Sequence, residues 1–246
     1  MKVFVILPAA GLGTRMAPHA APGKKPALSK QFTDLAGTPI LVHTLRQFVA
    51  APRVNEIWVA LRHPEISGFQ ARLKQEYPDV LKKRVELIEG GEQRQQSVAN
   101  ALAAISAAHP DISDNDIVLV HDAVRPLVTA EIIEDVLRAV EKHGAAIAGL
   151  PAVDTIKQVD RKPEGAAIHT TIPRASIVLA QTPQGFRFGL LKKAFADAAA
   201  DGFLGTDESS LLERAGQSVA VVMGSPRNLK ITAPADMELA EFYLKH

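Results

Sequence analysis

The chain has 246 residues, 47% of them hydrophobic, a net charge of +1 and no cysteine. That is enough for one large domain with a full core, and it excludes disulfides, thiolate metal sites and a cysteine nucleophile. No apolar stretch reaches the roughly 20 residues that span a bilayer, and VFVIL is too short for a signal-peptide core, so the expectation is a soluble, cytoplasmic protein with no membrane partner.

In chain order, the apolar runs read as strands at Val3–Leu7, Glu56–Leu61, Val85–Ile88, Ile117–Val120, Ala145–Leu150, Ile177–Ala180 and Val219–Val222. Between them, 3.6-residue periodicity predicts helices. The first starts at Thr38-Pro39, a cap residue followed by proline, and runs to about Val49. Others are expected near Glu65–Glu76, Gln93–Ala108, Thr129–His143, Gly189–Ala200, Asp207–Ala215 and Ala235–Lys245. This alternation predicts an α/β fold: a doubly wound, mostly parallel sheet in a single domain over 1–246, with functional groups at the carboxyl ends of its strands. One segment breaks the rhythm. Asp154–Arg174 carries TIKQV and AIHTTI around a polar RKPEG turn, which predicts a protruding β-hairpin arm needing something to pack on, plausibly a second subunit.

Charge is unevenly placed. Residues 1–33 hold Lys2, Arg15, Lys24, Lys25 and Lys30 and no acid, a local +5, while the remaining 23 basic and 27 acidic residues give −4. Cations gathered on a glycine loop suit a compact polyanion. Nucleic acid would call for a basic face interleaved with aromatics, and aromatics are only 5% here.

That loop is PAAGLGTRM (Pro8–Met16). It is not a dinucleotide fingerprint, because Met16 stands at the third glycine position and the second strand ends at Leu61-Arg62 without an acid. It is not a Walker loop either. What remains is a backbone that Gly11 and Gly13 leave open to phosphate, with Arg15 and Lys30 able to neutralise charge growing during phosphoryl transfer. The plain alternative is a tight turn with a solvated arginine.

Two further motifs follow strands. In EGGEQRQQSV (Glu89–Val98), Gly90 and Gly91 let backbone face a flat ligand edge and Ser97 offers a hydroxyl, which suits a nucleobase pocket; otherwise it is a turn capped by Glu92. In VHDAVRP (Val120–Pro126), Asp122 can hold Mg²⁺ or orient a substrate beside Arg125, or the two simply close a turn as an ion pair. Later come QTPQGF (Gln181–Phe186), TDESS (Thr206–Ser210) and NLKIT (Asn228–Thr232). Thr206 reads as a helix cap with acids in the first turn. Lys230 lies in an apolar stretch, where a lysine is costly unless an anion pairs with it. The histidines show no metal spacing.

Taken in order, PAAGLGTRM, SKQF, GGEQRQQSV, HDAVRP, DTIK, QTPQGF, TDESS and NLKIT resemble the polyol-phosphate cytidylyltransferases over nearly the whole chain, and most closely the branch serving the non-mevalonate isoprenoid pathway. The resemblance implies a Rossmann-like nucleotidyltransferase fold and a CTP- and Mg²⁺-dependent reaction. In it, the phosphate of 2-C-methyl-D-erythritol 4-phosphate attacks the CTP α-phosphorus in line and releases pyrophosphate. It also implies roles. Arg15, Lys30 and Lys230 would hold the triphosphate as catalytic residues. Ala9, Ala10, Gly11, Gly13, Gly90, Glu92 and Ser97 would form the cytidine pocket. Asp122, Arg125, Thr155, Arg174 and Thr206 would bind the polyol phosphate, with Asp122 also at the metal. A homodimer with embracing hairpin arms is implied too, so Thr155 and Arg174 would complete the partner's site.

The chain departs from that pattern in three places. Ser29 precedes Lys30 where the family has proline, and Glu92 stands where aspartate is common. The stretch between Arg15 and Lys30 is longer and cation-rich, so Lys25, followed by Pro26, competes with Lys30 for the catalytic role; this stretch is expected to order only with CTP. A ribitol 5-phosphate cytidylyltransferase and a sugar 1-phosphate nucleotidyltransferase stay open as alternatives. So do an NADP-binding reductase, with Arg62 reading the 2′-phosphate, and a non-catalytic nucleotide sensor.

Overall fold

The computed structural model describes residues 1–11 and 29–246. Expectations resting on residues 12–28, among them the roles of Gly13, Arg15 and Lys25 and the ordering of the cation-rich stretch, lie outside the described residues.

The chain opens with strand β1 (Val3–Pro8). After the undescribed stretch, a short 3₁₀ turn over Lys30–Phe32 leads into β2 (Asp34–Leu35), β3 (Thr38–Pro39) and helix α1 (Ile40–Ala50). Next come β4 (Glu56–Leu61), α2 (His63–Glu76), β5 (Arg84–Glu89), α3 (Arg94–Ala108), β6 (Ile117–Val120) and α4 (Ala130–His143). The second half runs β7 (Ala145–Pro151), β8 (Ile156–Lys162), β9 (Gly165–Ile172), β10 (Val178–Arg187), α5 (Phe188–Ala200), α6 (Glu208–Arg214), β11 (Ala220–Met223) and α7 (Pro234–Lys245).

Seven strands form the main sheet in the order β11-β7-β10-β6-β1-β4-β5. All neighbours are parallel except β10, which runs against both β6 and β7. Strand β1 shows why the sheet is covered on both faces. Val3, Val5 and Leu7 point to one core with residues of α1, α2 and α4, while Phe4 and Ile6 point to a second core with residues of α3, α5 and α6. An unbroken apolar run is what a strand buried on both faces requires, and truncating Phe4 there would cost about 3–5 kcal/mol. The sheet is the mostly parallel α/β arrangement expected, with helices on both faces.

Beyond shifts of one or two residues at element ends, three differences from the sequence reading have a specific cause. Thr38 and Pro39 do not start α1; they pair back on Leu35 and Asp34 around a two-residue turn at Ala36 (φ 51°) and Gly37 (φ 80°), so the helix begins at Ile40. Strand β10 does not stop at Ala180. It continues through QTPQGF because its register on β7 shifts between Ala180 and Gln184, and Pro183 falls in that shift. Thr206 does not cap α6. Asp207 does, its Oδ1 accepting the Ser210 N–H at 3.0 Å.

The hairpin arm forms as expected. β8 and β9 make their own antiparallel two-stranded sheet, with Val159 opposite Ile168, and no residue of either strand is buried.

Candidate active site

Because β1, β4, β5 and β6 are parallel, their carboxyl ends share one edge of the sheet. The chain leaves β1 towards β4 on one side and returns at β6 on the other, so a crevice opens between the ends of β1 and β6, where ligands of such sheets bind. The pocket there is lined by Ala9, Ala10 and Gly11 after β1, Lys30 and Gln31, Glu92 to Arg94 and Ser97 around the start of α3, Asp122 to Val124 after β6, and Lys230.

Asp122 is the centre of its charge. The carboxylate is buried, with Oδ2 facing Lys230 Nζ at 2.9 Å and Arg125 Nε at 3.2 Å, and Oδ1 facing Arg94 Nε at 3.4 Å. Burial alone would raise its pKa; Lys230, Arg94 and Arg125 overcome that and hold it well below the ordinary carboxylate range. Arg94 in turn donates from Nη1 to both oxygens of the fully buried Glu208, at 2.7 and 2.8 Å. Burial works against the Arg94 cation, yet Glu208 and Asp122 together raise its pKa; burial pushes the Glu208 carboxyl up.

The loop after β6 and the NLKIT segment hold each other. Arg125 Nη1 donates to the Asn228 carbonyl at 2.7 Å, and the Ile231 N–H donates to the Val124 carbonyl at 3.0 Å. Ile231 is fully buried against Leu35, Ile40 and Ala240. Lys230 is thus anchored on both sides while its amine reaches the pocket. Beneath Asp122, His121 is fully buried. Its Nε2 donates to the Arg125 carbonyl (3.1 Å), Thr182 Oγ1 lies 3.0 Å from its Nδ1, and the Asp122 N–H donates to that same hydroxyl at 3.0 Å. The carbonyl can only accept, which fixes the neutral tautomer with the proton on Nε2. Burial, outweighing the raising effect of the bond to the Arg125 carbonyl, pushes this histidine down to about 4.

The other wall is built by close approach. A Cβ at Gly90 would lie 2.6 Å from Ala10 Cβ and 2.9 Å from Ser97 Oγ, so only glycine lets the turn after β5 pack on the loop after β1. Ser97 is buried and braces this turn, accepting from the Gly91 N–H at 3.0 Å and donating to the Gln93 carbonyl at 3.1 Å. Ala9 has both backbone groups engaged: its N–H donates to the Ala60 carbonyl and its carbonyl accepts from Gln31 Nε2 at 2.6 Å.

Ala9, Ala10, Gly11, Lys30, Glu92, Ser97, Asp122 and Lys230 therefore meet at one pocket, with Gly90 and Arg125 packed directly behind its lining. Thr155, Arg174 and Thr206 are exposed and do not line it; Arg174 instead donates to the Val153 carbonyl. The sequence reading missed Arg94, Glu208, Gln31 and Thr182. Arg94 carried a signal, since a cation in the first turn of a helix opposes the macrodipole and needs an anion nearby.

A search against protein families matches residues 3–246 to the family described as 2-C-methyl-D-erythritol 4-phosphate cytidylyltransferase. A relative of that name from Acidobacterium capsulatum is 58% identical over all of this chain and 98% of its own length. Another from Solibacter usitatus is 49% identical over all of this chain and 96% of its own. The crystal structure of the Francisella tularensis enzyme of the same name superposes with a TM-score of 0.79 at 33% identity, covering 98% of this chain and 99% of that one.

Proposed function

We propose the reaction of this chain from one premise: it belongs to the 2-C-methyl-D-erythritol 4-phosphate cytidylyltransferase family. It joins CTP and 2-C-methyl-D-erythritol 4-phosphate to give 4-diphosphocytidyl-2-C-methyl-D-erythritol and pyrophosphate. An acceptor phosphate oxygen attacks the α-phosphorus of CTP, the new P–O bond forms in line with the one that breaks, and the β- and γ-phosphates leave together. No covalent enzyme intermediate is needed.

The observation that carries this reading is the set of cations at the β1/β6 crevice. Two polyanions repel, so placing them and neutralising their charge is the main catalytic task. Lys30 and Lys230 line the pocket. Lys230 faces Asp122, an anion that a phosphate can replace. The family resemblance assigns Arg15 the same task. The packed turn at Gly90, Glu92 and Ser97 receives the cytosine.

Mg²⁺ fits as a one-carboxylate site. Among the described residues no cluster of three or more His, Asp or Glu could hold a metal. An ion here would take one oxygen from Asp122 and the rest from phosphates and water, a common magnesium arrangement. When bound it would offset triphosphate charge. Asp122 and Arg125 would also face the acceptor.

The arm supports a homodimer: Val159 and Ile168 form a cross-strand apolar pair that is exposed in this chain. Thr155 and Arg174 would then complete the partner's pocket, and Thr206 the acceptor side of its own. Both substrates are charged phosphates that do not cross a bilayer, so the enzyme works in the cytoplasm. Pyrophosphate release across CTP, UTP and ATP, each with 2-C-methyl-D-erythritol 4-phosphate or ribitol 5-phosphate, tests the reading. CTP with the methylerythritol phosphate should turn over fastest; turnover only with a different acceptor would overturn it.

A further inference from the structure

Lys30 opens the 3₁₀ turn Lys30–Phe32, only three residues long. Its two neighbours are nevertheless fastened to a different part of the molecule. Ser29, 3% exposed, donates from Oγ to Glu65 Oε1 and accepts from Arg62 Nη2. Gln31, also 3% exposed, donates from Nε2 to the Ala9 carbonyl at 2.6 Å and lies 3.5 Å from Glu65 Oε2. Arg62 closes the set with bonds from Nε (3.1 Å) and Nη2 to Glu65 Oε1. Arg62 is the residue before α2 and Glu65 stands in its first turn, where a carboxylate suits the helix dipole.

We propose that Glu65, paired with Arg62, is a positioning residue that brackets Lys30 through Ser29 and Gln31 and so fixes the lysine at the edge of the pocket. Neither Glu65 nor Arg62 lines the pocket, and their reach into it runs through Ser29 and Gln31. Paired with each other they add no net charge beside the triphosphate. Their effect is mechanical: one carboxylate accepts from Ser29, Arg62 and Gln31, and the residues either side of Lys30 lose their freedom. The arrangement also accounts for Arg62, which is occupied here and does not present itself to a cofactor phosphate. Ser29 has φ −57° and ψ 137°, a conformation that proline adopts readily. The bracket thus does by hydrogen bonds what a proline at 29 would do by ring closure.

The inference rests on the proposed role of Lys30 at the phosphates. Glu65→Ala should lower kcat for pyrophosphate release roughly 10- to 100-fold, the scale of a misplacement of about 1 Å, with the melting temperature near that of the parent. In a Lys30→Ala background the same change should add no further loss. Ser29→Pro should restore most of the lost rate to Glu65→Ala. Full kcat in Glu65→Ala, or an equal loss with and without Lys30, overturns the proposal. Should the parent release no pyrophosphate at all, the functional reading fails by itself, and trypsin still tests the bracket. Cleavage after Lys30 must be faster in Glu65→Ala than in the parent, and equal rates would overturn it.

Discussion

The crevice at the ends of β1 and β6 and the arm formed by β8 and β9 are opposite solutions to folding. In the crevice the central charges find partners within the chain: Asp122 is shared by Lys230, Arg125 and Arg94, and Glu208 holds Arg94. In the arm no residue is buried, and the apolar pair Val159–Ile168 faces solvent. Two strands alone are marginal in water. The difference teaches that the described residues brace the pocket from within, whereas the arm leaves apolar surface open, which is why we propose it as a dimer contact.

The largest way to break that contrast is to remove the shared anion. Asp122→Ala leaves the buried Arg125 and the half-buried Arg94 and Lys230 without this shared carboxylate, and should cost about 3–5 kcal/mol in urea unfolding, as for one partner lost from a buried network. A cost below about 1 kcal/mol would mean the crevice is not held by charge pairing. Next come the cations themselves. Lys230→Ala and Lys30→Ala should each lower kcat about 10²–10³-fold, the scale for one lost transition-state donor. Arg15→Ala should match them, while Lys25→Ala should do far less; the reverse order for Lys25 and Lys30 would reassign the loop lysine.

A pH series sharpens the same side of the contrast. His121 is held neutral at about 4 in the fold, below the roughly 6.5 of an unfolded histidine. Its stabilising contribution is therefore complete above about pH 6.5 and lost as the pH falls towards 4, some 2–4 kcal/mol over the window. His121→Gln should flatten that part of the stability profile in urea melts; an unchanged profile would contradict the buried neutral tautomer. The smallest effect on the single chain belongs to the arm. Ile168→Asp should shift monomer stability by no more than about 0.5 kcal/mol, yet weaken the proposed homodimer in sedimentation at least about tenfold. A parent that sediments as a monomer would refute the arm's assigned role.

Most of the sheet was legible because buried parallel strands are continuous apolar runs: Val3–Leu7 and Ile117–Val120 could be read directly from composition. What was misread depends on how strands pair. Nothing local in Thr38-Pro39 distinguishes a helix start from a strand that folds back on Asp34–Leu35. The apolar run ends at Ala180, and only the shifted register on β7 lets β10 continue. In the site, Asp122 and Lys230 stood out because a carboxylate at a strand end and a lysine in an apolar stretch both demand partners. Glu208 did not, because an acid in a helix's first turn is ordinary until the fold buries it against a residue 114 positions away. Glu65 and Arg62 were invisible as a bracket for the same reason: their meaning lies in Ser29 and Gln31, which only the tertiary structure brings to them.

A crystal structure with CTP and magnesium would measure the central claim most directly, through the separation of Lys230 Nζ and Asp122 Oδ2, now 2.9 Å. The account predicts the triphosphate lying across the crevice, with the Lys230 amine moved from the carboxylate onto a phosphate oxygen and Lys30 beside it. A nucleotide bound elsewhere, with Lys230 still seated on Asp122, would contradict it.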